Sequence, residues 1–319
     1  MMSWKYTGPV MLLSGIGLGS GQASATDPVP DSLQNVEVEG YMIDTVERAL
    51  PEQRQVGAEF LDPQYDPNIS FTADSQVAVT FISEGAGYRN TLGYFSYDAG
   101  AFDGLTFGDI DLNGSGSISA RELEGISGIN EVGIVFGNAS GSGGFAGSGG
   151  TLNTGDTWVI GDGSFSLTDD SWTMEGGTVF EQDTQLGFFV AANAWTGDEI
   201  KGWDNNQEVN TYWSLDFLNP ENAASATLDD VSDVSRHVAM LNVEGENQIL
   251  MGFEDLLRPY GDNDFNDAVF LVRTNPEDGF DTSNLPTVSP APSPGLGLIG
   301  TSFLVGAGFL ATTRTRRRK

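Results

Sequence analysis

From Ile69 onward the apolar residues come in short runs cut off by Gly, Asp or Asn, and this spacing constrains the fold more than anything else in the chain. The runs are Val77–Ile82, Leu92–Tyr97, Gly133–Phe136, Thr157–Gly161, Gly187–Ala192, His237–Val243, Ile249–Phe253 and Ala268–Val272. Each has the length of a strand, and the Gly-rich breaks between them suit turns. The expected class is mainly β, an antiparallel β-sandwich of jelly-roll-like type. Ahead of it, GYMIDTVERALPEQRQ places apolar residues at 42, 43, 46, 49 and 50, a short amphipathic helix that Pro51 ends. The stretch SGSGGFAGSGG at 140–150 reads as a flexible loop. It lacks the Lys of a phosphate loop, and no helix-forming run follows it. The chain shows no internal repeat.

Two clusters of oxygen-bearing side chains interrupt this pattern. The first lies between two of the apolar runs, in GFEDLLRPYGDNDFNDAVF. Glu254, Asp255, Asp262, Asp264, Asn266 and Asp267 gather there, with Asn263 among them, and on an extended backbone Asp262, Asp264 and Asn266 would share one side. Calcium takes six to eight hard oxygen ligands and tolerates irregular geometry, so the cluster is a candidate Ca²⁺ site. A solvated acidic turn fits the same residues, since Asp and Asn favour turns. A carboxylate pair for glycoside hydrolysis, Glu254/Asp255 with Asp264/Asp267, needs a separation that sequence does not give. The second cluster is DLNGSGSISARE. Against the EF-hand loop, Asp111, Asn113 and Ser115 take the alternating ligand positions, Gly116 the sharp turn, Ser117 the carbonyl, Ile118 the packing position and Glu122 the closing bidentate position. FDGLTFGDI before it reads as strand or loop, so the usual incoming helix is not expected. An ordinary Asx/Ser turn is the alternative.

Composition agrees with a cation-binding reading. The 319 residues carry a formal net charge of −31, and no acid lies in the first 25 residues or beyond Asp281. Such a body repels nucleic acid and attracts cations. The 19 Phe argue for a packed core. There is no Cys and a single His, His237, which excludes thiolate chemistry and leaves zinc or His-based catalysis short of parts. No enzyme activity is expected. Trp195, Trp203 and Trp213, with Tyr212, offer a second use for the surface, a sugar-stacking platform in a glycan-binding or glycan-cleaving protein, against plain packing of the same rings.

Both ends carry patterns of targeting. Residues 1–25 place Lys5 before an apolar run and finish in Ala23-Ser24-Ala25, a secretory signal cut before Thr26. Beyond the Pro/Ser stretch 286–294, the uncharged run Gly295–Ala311 precedes Arg314, Arg316, Arg317, Arg318 and Lys319. As a helix it would span roughly 25 Å, a little short of a bilayer, with the basic end cytoplasmic. The order of Pro-rich motif, membrane run and Arg cluster resembles the PEP-CTERM sorting signal, which implies a membrane exosortase as partner and a Gram-negative envelope or extracellular destination. Ser289-Pro290-Ala291-Pro292-Ser293-Pro294 stands where that signal has Pro-Glu-Pro. A plain membrane anchor is the other reading.

ISEGAGYRNTLGYFSYD (82–98), EVGIVFGNAS (131–140), GSGGTLNTGDTW (147–158), LGFFVAANAW (186–195), SRHVAML (235–241), GFEDL and GDNDFNDAVF together resemble the domain of unknown function numbered 4114, over roughly residues 50 to 273. The resemblance implies a β-rich extracellular module found with calcium-dependent surface proteins, without catalysis. Its acidic motif maps onto Glu254, Asp255, Asp262, Asp264, Asn266 and Asp267. The expected organisation is a signal at 1–25, a helical preface at 26–56, the β domain at 57–276, a linker at 277–294 and a sorting tail at 295–319. Calcium ions, a surface or exopolysaccharide matrix and the sorting protease are the expected partners, with the membrane touched only through the tail.

Overall fold

The computed structural model describes residues 33–292, apart from 63, 64, 66–68, 144–148, 169, 170, 231–234 and 259. The signal at 1–25 and the tail at 295–319 lie outside the described residues. The strands in chain order are β1 (Gln34–Asn35), β2 (Ile69–Phe71), β3 (Gln76–Ser83), β4 (Thr91–Tyr97), β5 (Ile129–Phe136), β6 (Asp156–Val159), β7 (Ser164–Thr168), β8 (Ser171–Glu175), β9 (Gln185–Ala191), β10 (Thr211–Trp213), β11 (Val238–Val243), β12 (Gln248–Phe253), β13 (Ala268–Asn275), β14 (Phe280–Asp281) and β15 (Thr287–Val288). Three short α-helices join them, α1 (Gly40–Ala49), α2 (Phe107–Ile110) and α3 (Ala120–Glu124). The mainly β, antiparallel expectation holds.

Two sheets carry the fold. One runs β1-β6-β3-β13-β12-β11-β15, the other β14-β2-β9-β4-β5 with β10 added on β9. All pairings in them are antiparallel except β11 with β15. Val79, Phe81, Met251, Phe253 and Phe270 of the first sheet share one apolar core with Ile69, Leu92, Phe136, Phe188 and Val190 of the second. Both outer faces are covered as well, which is why the central strands read as continuous apolar runs and not as alternations. Met42, Val46, Ala49 and Leu50 of the α1 segment pack on Leu241, Leu250 and Leu271. Burial of that one face is what stabilises so short a helix, since about ten residues are marginal alone. On the far face of the second sheet, Phe107, Ile110, Ile118 and Leu123 pack on Phe95, Phe189 and Trp213.

Three expectations change. The 107–110 segment is helical: Thr106 caps it through a reciprocal capping box with Asp109. The hairpin β7–β8 was not expected. Its apolar residues Phe165, Trp172 and Met174 alternate with exposed polar ones. The Pro/Ser stretch begins docked rather than as a free linker. Thr287–Val288 forms β15, Arg48 Nη2 donates to the Ser289 carbonyl at 2.7 Å, and the Ala291 N–H donates to Thr45 Oγ1 at 2.7 Å. Among the described residues no helix is long and apolar enough to cross a membrane.

Candidate metal centre

The acidic loop joins two central strands. Residues 254–267 leave β12 at Phe253 and re-enter β13 at Ala268, which face each other across the pair. The backbone there is not extended, as the alternating acids suggested. Asn263 and Phe265 sit at φ 61° and 55°, so the chain coils through two left-handed residues. For a bulky side chain this conformation costs about 1–2 kcal/mol. Burial of the Phe265 ring beside Val56 and Leu250 offsets that cost.

The coil sorts the six predicted residues into three groups. Carboxylate oxygens of Glu254, Asp262 and Asp264 lie within 4.8 Å of one another. Asp255 and Asp267 form a second pair. Asp267 Oδ2 accepts from the Asp255 N–H at 2.7 Å, and Asp255 Oδ2 accepts from Asn90 Nδ2 at 2.6 Å. Asn266 stands alone, its Nδ2 donating to Glu52 Oε2 at 3.0 Å. The loop after α1 straps the turn from outside: the Gln53 N–H donates to Asp264 Oδ2 at 2.8 Å, and the Val56 N–H to the Asn263 carbonyl at 2.9 Å. Glu52, Gln53 and Asn90 had no sequence signal, because only tertiary folding brings them to the turn.

The electrostatics are those of a site short of positive charge. Glu254 is only 1% exposed; its Oε2 accepts from the Asn263 N–H at 2.9 Å, while its Oε1 is buried with no hydrogen-bond partner. Burial first, then the Asp262 charge, pushes its carboxyl up to about 8. Burial and the Asp255 charge push Asp267 up to about 9. Burial raises Asp255 to about 6, with Asn90 pulling the other way. Asp264 is also raised, mainly by burial. A buried carboxylate oxygen without a donor is costly unless it is protonated or holds a cation. Gly261 closes the site from above, for a Cβ there would overlap Glu254 Oε1. Gly261→Ala therefore displaces the carboxylate without altering any charge. It is expected to weaken cation binding at this candidate site about tenfold or more, read by calorimetric titration with Ca²⁺.

The 111–122 loop is built differently. It runs from the C-cap of α2 into the first turn of α3, with Gly114 and Gly116 at φ 69° and 80° and Ile118 fully buried. Its candidate ligands converge, but the loop already satisfies them. The Asp111 carboxylate accepts from the Ser115 and Gly116 N–H groups at 3.0 and 2.9 Å. Asn113 Oδ1 accepts from the Ser115 N–H at 2.7 Å, and Ser115 Oγ donates to the Ser117 carbonyl at 2.8 Å. Glu122 caps α3, its Oε2 accepting from Ser119 N–H and Oγ at 2.9 and 2.8 Å, while its Oε1 accepts from the Asn113 N–H at 3.2 Å. The Ser115 hydroxyl on the Ser117 carbonyl and the Ser119 bonds to Glu122 each take up an acceptor position that a cation would use. Ser117 also does more than lend a carbonyl: the Thr211 N–H donates to its Oγ at 3.2 Å.

Most of the remaining candidates are core residues. Trp195, Trp213 and Tyr212 are buried and only Trp203 is partly exposed, so no sugar-stacking platform stands on these rings. His237 is buried and stacked on Tyr212, with Nδ1 at 2.9 Å from the Glu254 carbonyl and Nε2 at 2.9 Å from Glu221 Oε1. It fixes the backbone at the start of the acidic loop.

Residues 180–275 match the model of the domain of unknown function DUF4114. The matched segment holds β9 to β13 and the whole acidic loop, and leaves the 111–122 loop outside. No curated protein and no solved structure matches the chain.

Proposed function

We propose that this chain is a non-enzymatic, exported calcium-binding module of jelly-roll-like sandwich form, serving at the cell surface or in an extracellular matrix. One observation carries the reading: the buried, partnerless Oε1 of Glu254 in a group of three converging carboxylates, inside the segment that matches the DUF4114 model. These are hard oxygen donors in an irregular loop, chemistry that suits Ca²⁺ better than softer metals. Glu254, Asp262 and Asp264 would hold the ion. Asp255 and Asp267 beside it add negative charge, and Asn266 holds Glu52 near it. The EF-hand-like loop is a weaker second site in this reading, because its ligands must first give up internal hydrogen bonds. Export and cleavage by an exosortase rest on the patterns at the two ends.

Calcium titration by calorimetry tests this. The wild type is expected to bind two ions with separable affinities. Asp262→Asn should abolish the tighter phase and spare the weaker one, because Asp262 is exposed and its loss leaves the buried network standing. Glu122→Gln should abolish only the weaker phase and leave the melting temperature nearly unchanged, because Gln at this position still completes the capping box with Ser119. Absence of any calcium heat in the wild type would overturn the proposal.

A further inference from the structure

Beside the acidic loop lies a cleft of about 500 Å³, within the range of small-ligand sites. Its rim is unusual for this molecule. Among the described residues the large apolar or aromatic side chains left exposed include Tyr88 at 39%, Leu256 at 37% and Tyr260 at 83%, and all three line this cleft. Tyr88 comes from the β3–β4 loop, whereas Leu256 and Tyr260 come from the acidic loop, so chain segments far apart in sequence converge on one surface. Exposed apolar groups gathered in a concavity rimmed by polar ones mark a binding site.

The walls select the ligand. Asn193, Asn210 and the Ser115–Ser117 segment line the cleft with the tyrosines, so neutral hydrogen-bonding groups predominate. The charged groups are Lys201, Glu208 and Asp255, with the acids in excess, on a chain of formal charge −31. That field repels anions. A strongly cationic partner would meet only Glu208 and Asp255, offset by Lys201, in a lining that is otherwise uncharged. What remains is an uncharged molecule with apolar faces and many hydroxyls. A sugar ring has both: its C–H face packs on tyrosine, and its hydroxyls pair with amides and carboxylates. We infer that this cleft, and not the tryptophan loop, is a binding site for a neutral polysaccharide, with Tyr260 and Tyr88 as the stacking rings.

Two of the walls belong to the candidate calcium loops, so the calcium dependence of binding, though not the binding itself, rests on the reading above. Native electrophoresis of the full chain through gels containing dextran, galactomannan, xylan or, as an anionic comparison, alginate tests the inference. Retardation is expected in at least one neutral gel and not in alginate alone. Tyr260→Ala should weaken that retardation about tenfold, and because its ring is exposed the variant should melt like the wild type. Tyr88→Ala should act in the same direction. No retardation in any neutral gel, retardation only in alginate, or an unaltered Tyr260→Ala overturns the assignment. Retardation that persists in a chelator, together with no calcium heat, would sink the calcium reading and leave the cleft standing.

Discussion

Chelating calcium is expected to lower the melting temperature of the protein by about 10 °C. Free ion at a thousandfold excess over its dissociation constant adds about 4 kcal/mol to the native state, and a domain of this size shifts by about 2–4 °C per kcal/mol. The shift should nearly vanish in Asp262→Asn and persist in Glu47→Gln, an exposed change on α1. Asp230 is a poorer control than its surface position suggests, because its Oδ2 accepts from the Thr227 N–H at 2.8 Å. Asp264→Ala is uninformative for the same reason. Its carboxylate accepts from the Gln53 and Asn266 N–H groups, so its removal loosens the turn with or without an ion. Equal melting temperatures in chelator and in millimolar calcium would show that no ion couples to folding.

In the ion-free protein, stability should fall as pH rises, which is opposite to the behaviour of most acid-sensitive proteins. Burial pushes the Glu254 carboxyl up to about 8 in the folded chain, and burial with charge repulsion from neighbouring carboxylates holds Asp255 and Asp267 above the ordinary carboxylate range. Below about pH 4 these groups are protonated in both states, so nothing is lost there. Between about pH 4 and pH 9 the unfolded chain ionises freely while the folded one resists. The native state binds more protons, and stability declines through that window by several kcal/mol before levelling off. A calcium ion held by these carboxylates would compete with those protons, so the calcium-induced shift should be small near pH 5 and largest near pH 9. Melting curves in chelator and in calcium at both ends of the window decide this. An ion-free melting temperature that rises from pH 5 to pH 9 would mean the carboxyls are not held protonated.

Much of the fold was legible because both faces of the central strands are covered. Runs such as Ile249–Phe253 and Ala268–Val272 had to be apolar throughout. The β7–β8 hairpin is faint in the sequence for the converse reason: most of its residues face solvent, and only Phe165, Trp172 and Met174 are buried. Of the candidate metal centre, the three converging acids were visible because they are close in sequence. Their convergence was not, since it depends on left-handed Asn263 and Phe265 and on the strap at Glu52–Gln53, which arrives from the other end of the chain. The tryptophans misled as possible sugar contacts because polar, Gly- and Asn-rich loops flank them, and nothing in the local pattern shows that Trp195 and Trp213 turn inward.

The parallel pairing of β15 with β11 sets which way the molecule would look if its tail were tethered. β11 starts beside the acidic loop, where the Glu254 N–H donates to the His237 carbonyl, and ends at Val243, opposite Val288. β15 runs in the same direction, so the chain departs from the far end of the sheet, about 20 Å from the carboxylates at ~3.3 Å per residue. A membrane or matrix holding the C-terminal side would therefore sit behind the domain. The acidic loop and the tyrosine-rimmed cleft would then face the medium, each molecule of an anchored layer presenting the same end outward.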